Sequence, residues 1–158
     1  MKEVVDAFGS VVLETLLMLN LTTRNLHVWQ GGRLTHTFPV AVGRLATPTP
    51  VGVHKIHRKE KNAQWLSPWS GRRVDASPLG PIGTRWIGFW YECKDGKSTD
   101  KNPPEFDPGR CKEIGFHGTG MRESIGHEAS NGCVRMRDED AVRLYELVDV
   151  GAEVQVFY

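Results

Sequence analysis

The chain has 158 residues, 20 of them basic and 19 acidic, for a formal net charge of +1. That length reads as one domain, residues 1–158, able to bury roughly two-thirds of its unfolded surface without a metal or disulfide staple. The basic residues are spread along the chain, which leaves no electrostatic footprint for a polyanion, so nucleic acid is not an expected partner.

The opening stretch, MKEVVDAFGSVVLETLLMLNL, is apolar, but Asp6 and Glu14 interrupt it and no small-residue cleavage site follows. It reads as part of the fold, with neither a signal peptide nor a membrane span expected in this chain. Val4, Phe8, Val11, Val12 and Leu16 keep helical spacing, whereas Val11 to Leu21 also suits a buried strand, and periodicity leaves both open. NLHVWQ and RLTHTFPVAV flank Gly31-Gly32, a hairpin signal. The turn-rich TPTPVG leads into VHKIHRKE, and RWIGFWYEC supplies a further strand dense in aromatics.

Cys93 and Cys111 bracket KDGKSTDKNPPEFDPGR, which cannot bury a core face and reads as a surface loop. A Cys93–Cys111 disulfide would contribute about 3 kcal/mol in an oxidising compartment; the alternative is two unpaired thiols near strand ends. KEIGFHG ends a strand, TGMRESIGHEASNG is loop-like, and CVRM begins a short extended piece. Asp138 can then cap a helix that presents Ala141, Leu144, Tyr145 and Val148 on one face, with Gly151 as its stop. EVQVFY closes the chain with Val154, Val156 and Tyr158 alternating. Strands dominate, so the expected architecture is mainly β, a β-sandwich or mixed barrel with one short helix near the C-terminus.

His117 and Cys133 stand at the two ends of the loop-like stretch, in reach of each other if those ends are adjacent in one sheet. Cysteine is a good nucleophile only as thiolate, and a neighbouring imidazole can take its proton. Gly132 lets a substrate carbonyl approach the backbone, and the N–H groups of Asn131, Gly132 and Cys133 are candidates for an oxyanion hole. Arg135 can share a face with Cys133 and offer a fork to a carboxylate, or simply pair with Asp138 or Glu139. His127 reads as a solvated side chain. Trp65, Trp69, Trp86 and Trp90 suit either a cleft rim or core packing. No paired Cys-x-x-Cys knuckle is present, so a metal site built from the three cysteines and His117 is not expected.

HGT, SIG and SNGCVRM, in that order, resemble the signature of the L,D-transpeptidase (YkuD-like) catalytic domain, and the resemblance extends over residues 19–158. It implies a cell-wall enzyme without cofactor. Such an enzyme attacks the third residue of a peptidoglycan tetrapeptide stem, releases D-alanine, and passes the thioester to an amine of another stem as a 3→3 cross-link. By position Cys133 matches the nucleophile, His117 the base, Gly118 the residue whose carbonyl orients the imidazole, and Gly132 with Cys133 the oxyanion donors. Ser124, Gly126, Ser130 and Arg135 match the remaining signature positions, Arg135 for substrate binding or for ordering the loop. Asn131 stands where many relatives carry histidine, which leaves acid–base duty with His117. The resemblance further implies peptidoglycan stem peptides as partners, a covalent carbapenem adduct, and a place in the cell envelope or periplasm; a monomer is expected. An L,D-carboxypeptidase using water as acceptor, and a non-catalytic peptidoglycan-binding module, are the alternatives.

Overall fold

The computed structural model describes residues 4, 5, 7–9, 11, 12, 14–67, 69–94 and 111–158. The Pro-rich segment between the two cysteines, read as a surface loop, lies at 95–110 outside the described residues. In chain order, β1 (Val4–Val5) and β2 (Val11–Val12) form a small antiparallel pair. Then come β3 (Thr15–Asn20), β4 (Asn25–Gln30), β5 (Arg33–Pro39), β6 (Val42–Gly43), β7 (Gly52–Lys55) and β8 (Arg58–Lys61). A separate hairpin of β9 (Trp65–Leu66) and β10 (Arg73–Val74) precedes two long strands, β11 (Arg85–Cys93) and β12 (Cys111–Thr119). A single 3₁₀ turn (Arg122–Ser124), β13 (Glu128–Ser130), β14 (Val134–Arg137), the helix α1 (Asp138–Leu147) and β15 (Glu153–Phe157) complete the chain.

Two open sheets, ordered β5-β4-β3-β15-β7 and β14-β12-β11-β8, share the core. Neither closes on itself, so the sandwich reading holds and the barrel reading does not. Alternation explains the packing: Leu17 and Leu19, Leu26 and Val28, and Val154 and Val156 point inward from one sheet. They meet Ile87, Phe89, Ile114, Phe116, Val134 and Met136 from the other, all without solvent exposure. Ala141 and Leu144 of α1 join the same cluster.

Local chemistry decides several details. Gly31 and Gly32 take φ values of 56° and 83°, which the two-residue turn between β4 and β5 requires and which glycine adopts without a Cβ penalty. The N-terminal region resolves to strand: β3 sits in the middle of the five-stranded sheet, paired with β4 on one side and parallel to β15 on the other. The helix departs from expectation at both ends. Asp138 is its first residue, not its cap, and its carboxylate bonds Thr84 instead. The helix ends at Leu147, with Val148 already extended, and Gly151 at φ 97° turns the chain toward β15. Tyr158 lies beyond β15 and is 71 % exposed, so the closing alternation stops at Val156.

β11 and β12 pair antiparallel from Trp86 opposite His117 to Cys93 opposite Cys111, and the two cysteine sulfurs are bonded, 2.07 Å apart. This hairpin carries the histidine strand, and the parallel pairing of β14 onto β12 brings the cysteine to it.

Candidate active site

In the β12–β14 ladder Phe116 lies opposite Val134, and His117 opposite Arg135. Phe116 and Val134 are core residues, so His117 and Arg135 occupy the other face of the sheet. Cys133, one residue before β14 begins, is partly buried and packed against the edge of the core.

The imidazole is fixed from two directions. Its Nδ1 lies 2.6 Å from the carbonyl oxygen of Gly118. A carbonyl only accepts, so Nδ1 carries the proton and Nε2 is left with its lone pair. The indole of Trp86 lies over the same ring, with centroids 5.6 Å apart and planes 12° from parallel. Burial pushes the His117 pKa down to about 4; the Gly118 carbonyl works against that fall and the Arg135 charge adds to it. The ring is therefore neutral and oriented across the physiological range, with Nε2 open as an acceptor.

The thiol of Cys133 donates to the carbonyl of Glu113 at 3.6 Å. Burial pushes its pKa up to about 11, opposed by a hydrogen bond from the Gly115 backbone and by the charge of Lys112. Thiol and imidazole both rest uncharged.

The loop that carries Cys133 is braced from several sides. Gly132 has φ 122°, and a Cβ there would stand 3.1 Å from Ile114 Cδ1. Its N–H donates to Ser130 Oγ at 3.1 Å, and that hydroxyl donates to the Cys133 carbonyl at 2.5 Å. Thr49 Oγ1 donates to the Gly132 carbonyl at 2.8 Å, and Thr47 Oγ1 to the Ser130 carbonyl at 3.1 Å. Asn131 is exposed; its side-chain oxygen accepts from Arg44 and its main-chain oxygen from Lys112 Nζ at 2.7 Å.

The family model described as the YkuD L,D-transpeptidase catalytic domain matches residues 14–156. The chain belongs to this family. YqjB of Bacillus subtilis, classed by name with the L,D-transpeptidases, is 32 % identical over 141 residues, which is 89 % of this chain and 69 % of that protein. An L,D-transpeptidase from Mycobacterium smegmatis has the same fold, with a TM-score of 0.66 at 18 % identity over 92 % of this chain and 59 % of the other. So does an LD transpeptidase solved in complex with imipenem, at a TM-score of 0.66 and 17 % identity, with the same shares of 92 % and 59 %.

In this L,D-transpeptidase domain the signature residues divide by what they touch. His117, Gly118, Cys133 and Arg135 converge on the β12–β14 ladder, and Ser130 braces the Cys133 loop from within. Gly132 spends its N–H on Ser130, whereas the Cys133 N–H makes no hydrogen bond among the described residues. Ser124 is buried and donates to the Met121 carbonyl at 2.7 Å, and Gly126, at φ 92°, donates its N–H to the Val40 carbonyl at 2.8 Å. Both shape the loop without reaching the His–Cys pair. His127 is exposed. The tryptophans part company: Trp86 is buried against His117, Trp90 packs on the core, and Trp65 with the exposed Trp69 belongs to the β9–β10 hairpin and its turn.

The Arg135 backbone bonds Ala41 in both directions, at 2.8 and 2.9 Å, while its half-buried guanidinium makes no ion pair or hydrogen bond among the described residues. Its proposed carboxylate partners are occupied, Asp138 with Thr84 and Glu139 with Arg122 at 2.7 Å. Sequence reading missed Arg44, Lys112, Thr47 and Thr49. The two threonines stood in TPTPVG, where turn chemistry was legible but the grip on a loop 83 residues away was not.

Proposed function

We propose that this chain is a cysteine-dependent L,D-transpeptidase that forms 3→3 cross-links between peptidoglycan stems. The observation that carries the reading is the His117 Nδ1–H bond to the Gly118 carbonyl, which presents Nε2 as an acceptor beside the strand that delivers Cys133.

The reaction begins when the thiol rotates away from the Glu113 carbonyl. Sγ attacks the carbonyl carbon of the third stem residue as Nε2 takes the thiol proton. The Cys133 N–H receives the developing oxyanion, a contribution typically worth about 3–4 kcal/mol per donor. The tetrahedral intermediate collapses, its C–N bond breaks, and the imidazolium returns its proton to the departing amine of D-alanine. An amine from a second stem then attacks the thioester, giving its proton to His117, and the thiol is reformed by that proton as the new amide is released. The free guanidinium of Arg135 supplies a carboxylate-binding group on the same face. The envelope location follows from this substrate.

The test is mass spectrometry of products after incubation with a purified tetrapeptide muropeptide, beside Cys133→Ala. A cross-linked dimer that has lost one D-alanine, absent from the variant, supports transpeptidation. Free tripeptide assigns an L,D-carboxypeptidase, and no cysteine-dependent product leaves a binding module. A similar transpeptidase is solved in complex with imipenem. On that ground a carbapenem is expected to acylate Cys133, adding its mass to the wild type and not to Cys133→Ala.

A further inference from the structure

The geometry points to Asp138 as the positioning residue for the base: its buried carboxylate bonds Thr84, which leads into β11, and packs against Gly118 at the end of β12, so that the Trp86 ring and the Gly118 carbonyl hold His117 from two sides. The inference rests on the proposed function for the meaning of a positioned imidazole, and its geometry stands apart from that reading.

Asp138 is 7 % exposed. One carboxylate oxygen accepts the Thr84 backbone N–H at 2.7 Å, and the other accepts Thr84 Oγ1 at 2.8 Å. Among the described residues no cation pairs with it. A carboxylate removed from water without a cation is costly, and apolar packing at the first turn of α1 would avoid that cost. What the carboxylate supplies instead is direction.

Three backbones converge on it. A Cβ on Gly118 would stand 2.3 Å from Asp138 Oδ1 and 3.0 Å from its Cα. A Cβ on Gly83 would stand 2.3 Å from the same oxygen and 2.6 Å from the Gly118 Cα. Only glycine lets the 80–84 turn, the end of β12 and the start of α1 approach this closely. Each neighbour then acts on the imidazole. Gly118 turns its carbonyl to His117 Nδ1 at 2.6 Å. Thr84 leads directly into β11, whose Trp86 lies opposite His117 in register and stacks on its ring. The Asp138 carboxylate therefore reaches the base through Gly118 on one side and through Thr84 and Trp86 on the other, touching neither the substrate nor the ring itself.

Two variants of the full chain test this. Asp138→Asn keeps the volume and removes one acceptor; Thr84→Val keeps the backbone N–H and removes the hydroxyl. Misplacing a catalytic group by about an ångström costs roughly 100-fold, so kcat is expected to fall roughly 10- to 100-fold in Asp138→Asn with KM within about twofold, and less in Thr84→Val. Nitrogen NMR of the His117 ring, read on folded protein, should shift from the Nδ1–H tautomer toward a mixture in the same order. Wild-type kcat and an unchanged tautomer signature in both variants would overturn the inference. So would a loss of kcat that follows only the unfolded fraction, seen by circular dichroism, while the folded fraction keeps the wild-type signature. If the tautomer shifts as expected but the wild type shows no Cys133-dependent turnover, the functional reading fails and the positioning stands.

Discussion

Titration of Cys133 tests the chemistry of the site most directly. Burial raises the thiol from an ordinary 9.0 to about 11 and lowers the imidazole from 6.5 to about 4. With its midpoint at about 11, the thiol holds roughly 100-fold less thiolate at neutral pH than an ordinary cysteine would. A resting thiolate–imidazolium pair needs the opposite order, with the cysteine titrating below the histidine. The proposed mechanism therefore requires the proton to leave during attack, to an imidazole that is already neutral. In wild type minus Cys133→Ala, thiolate absorbance should stay flat through neutrality, begin to rise above about pH 9, and reach its midpoint at about 11. The rate of acylation by tetrapeptide should be flat at neutral pH and fall on an acid limb at about 4, as His117 gains its proton. A thiolate step between about pH 5 and 7 would refute the reasoning and assign a preformed ion pair.

Five further outcomes are expected. His117→Gln should slow acylation by roughly 10²–10⁴-fold in single-turnover measurements, since its side chain cannot take the thiol proton. The buried neutral imidazole also makes stability pH-dependent: His117 binds its proton less readily folded than unfolded, so its contribution is complete above 6.5 and is lost as pH falls through about 4. Urea unfolding should show about 3 kcal/mol of acid destabilisation that is missing in His117→Gln. Gly132→Ala, forced to φ 122° and against Ile114, should lose about 1–3 kcal/mol by thermal unfolding together with most activity. Thr49→Val leaves the Gly43 N–H and the Gly132 carbonyl without their hydroxyl partner and should cost about 1–3 kcal/mol, whereas an unchanged Tm would show that the turn does not hold the loop. Cys93→Ala with Cys111→Ala removes the bridge across a separation of 18 residues and should lower stability by about 3 kcal/mol in urea unfolding.

Local signals in the chain mark the strand-rich architecture and point to the candidate site residues. Alternation marked Val154 and Val156, the Gly31-Gly32 pair marked a hairpin, and the order of HGT, SIG and SNGCVRM placed His117, Gly118 and Cys133 in their signature. These are local signals, set by a period of two along a strand, by turn dihedrals, or by residues close in sequence. Tertiary structure alone decided which polar groups act on that pair. The N-terminal stretch had equal claims to helix and strand until β15 and β4 flanked it, because a short apolar run takes its form from its neighbours. Asp138 had the spacing of a helix cap, yet Thr84, 54 residues away, holds its carboxylate. Gly132 had the look of an oxyanion donor, but the hydroxyl of Ser130 takes its N–H. Side-chain partners far apart in sequence leave no periodic trace, and the pKa values of Cys133 and His117 follow from desolvation, which exists only once the two strands have closed over them.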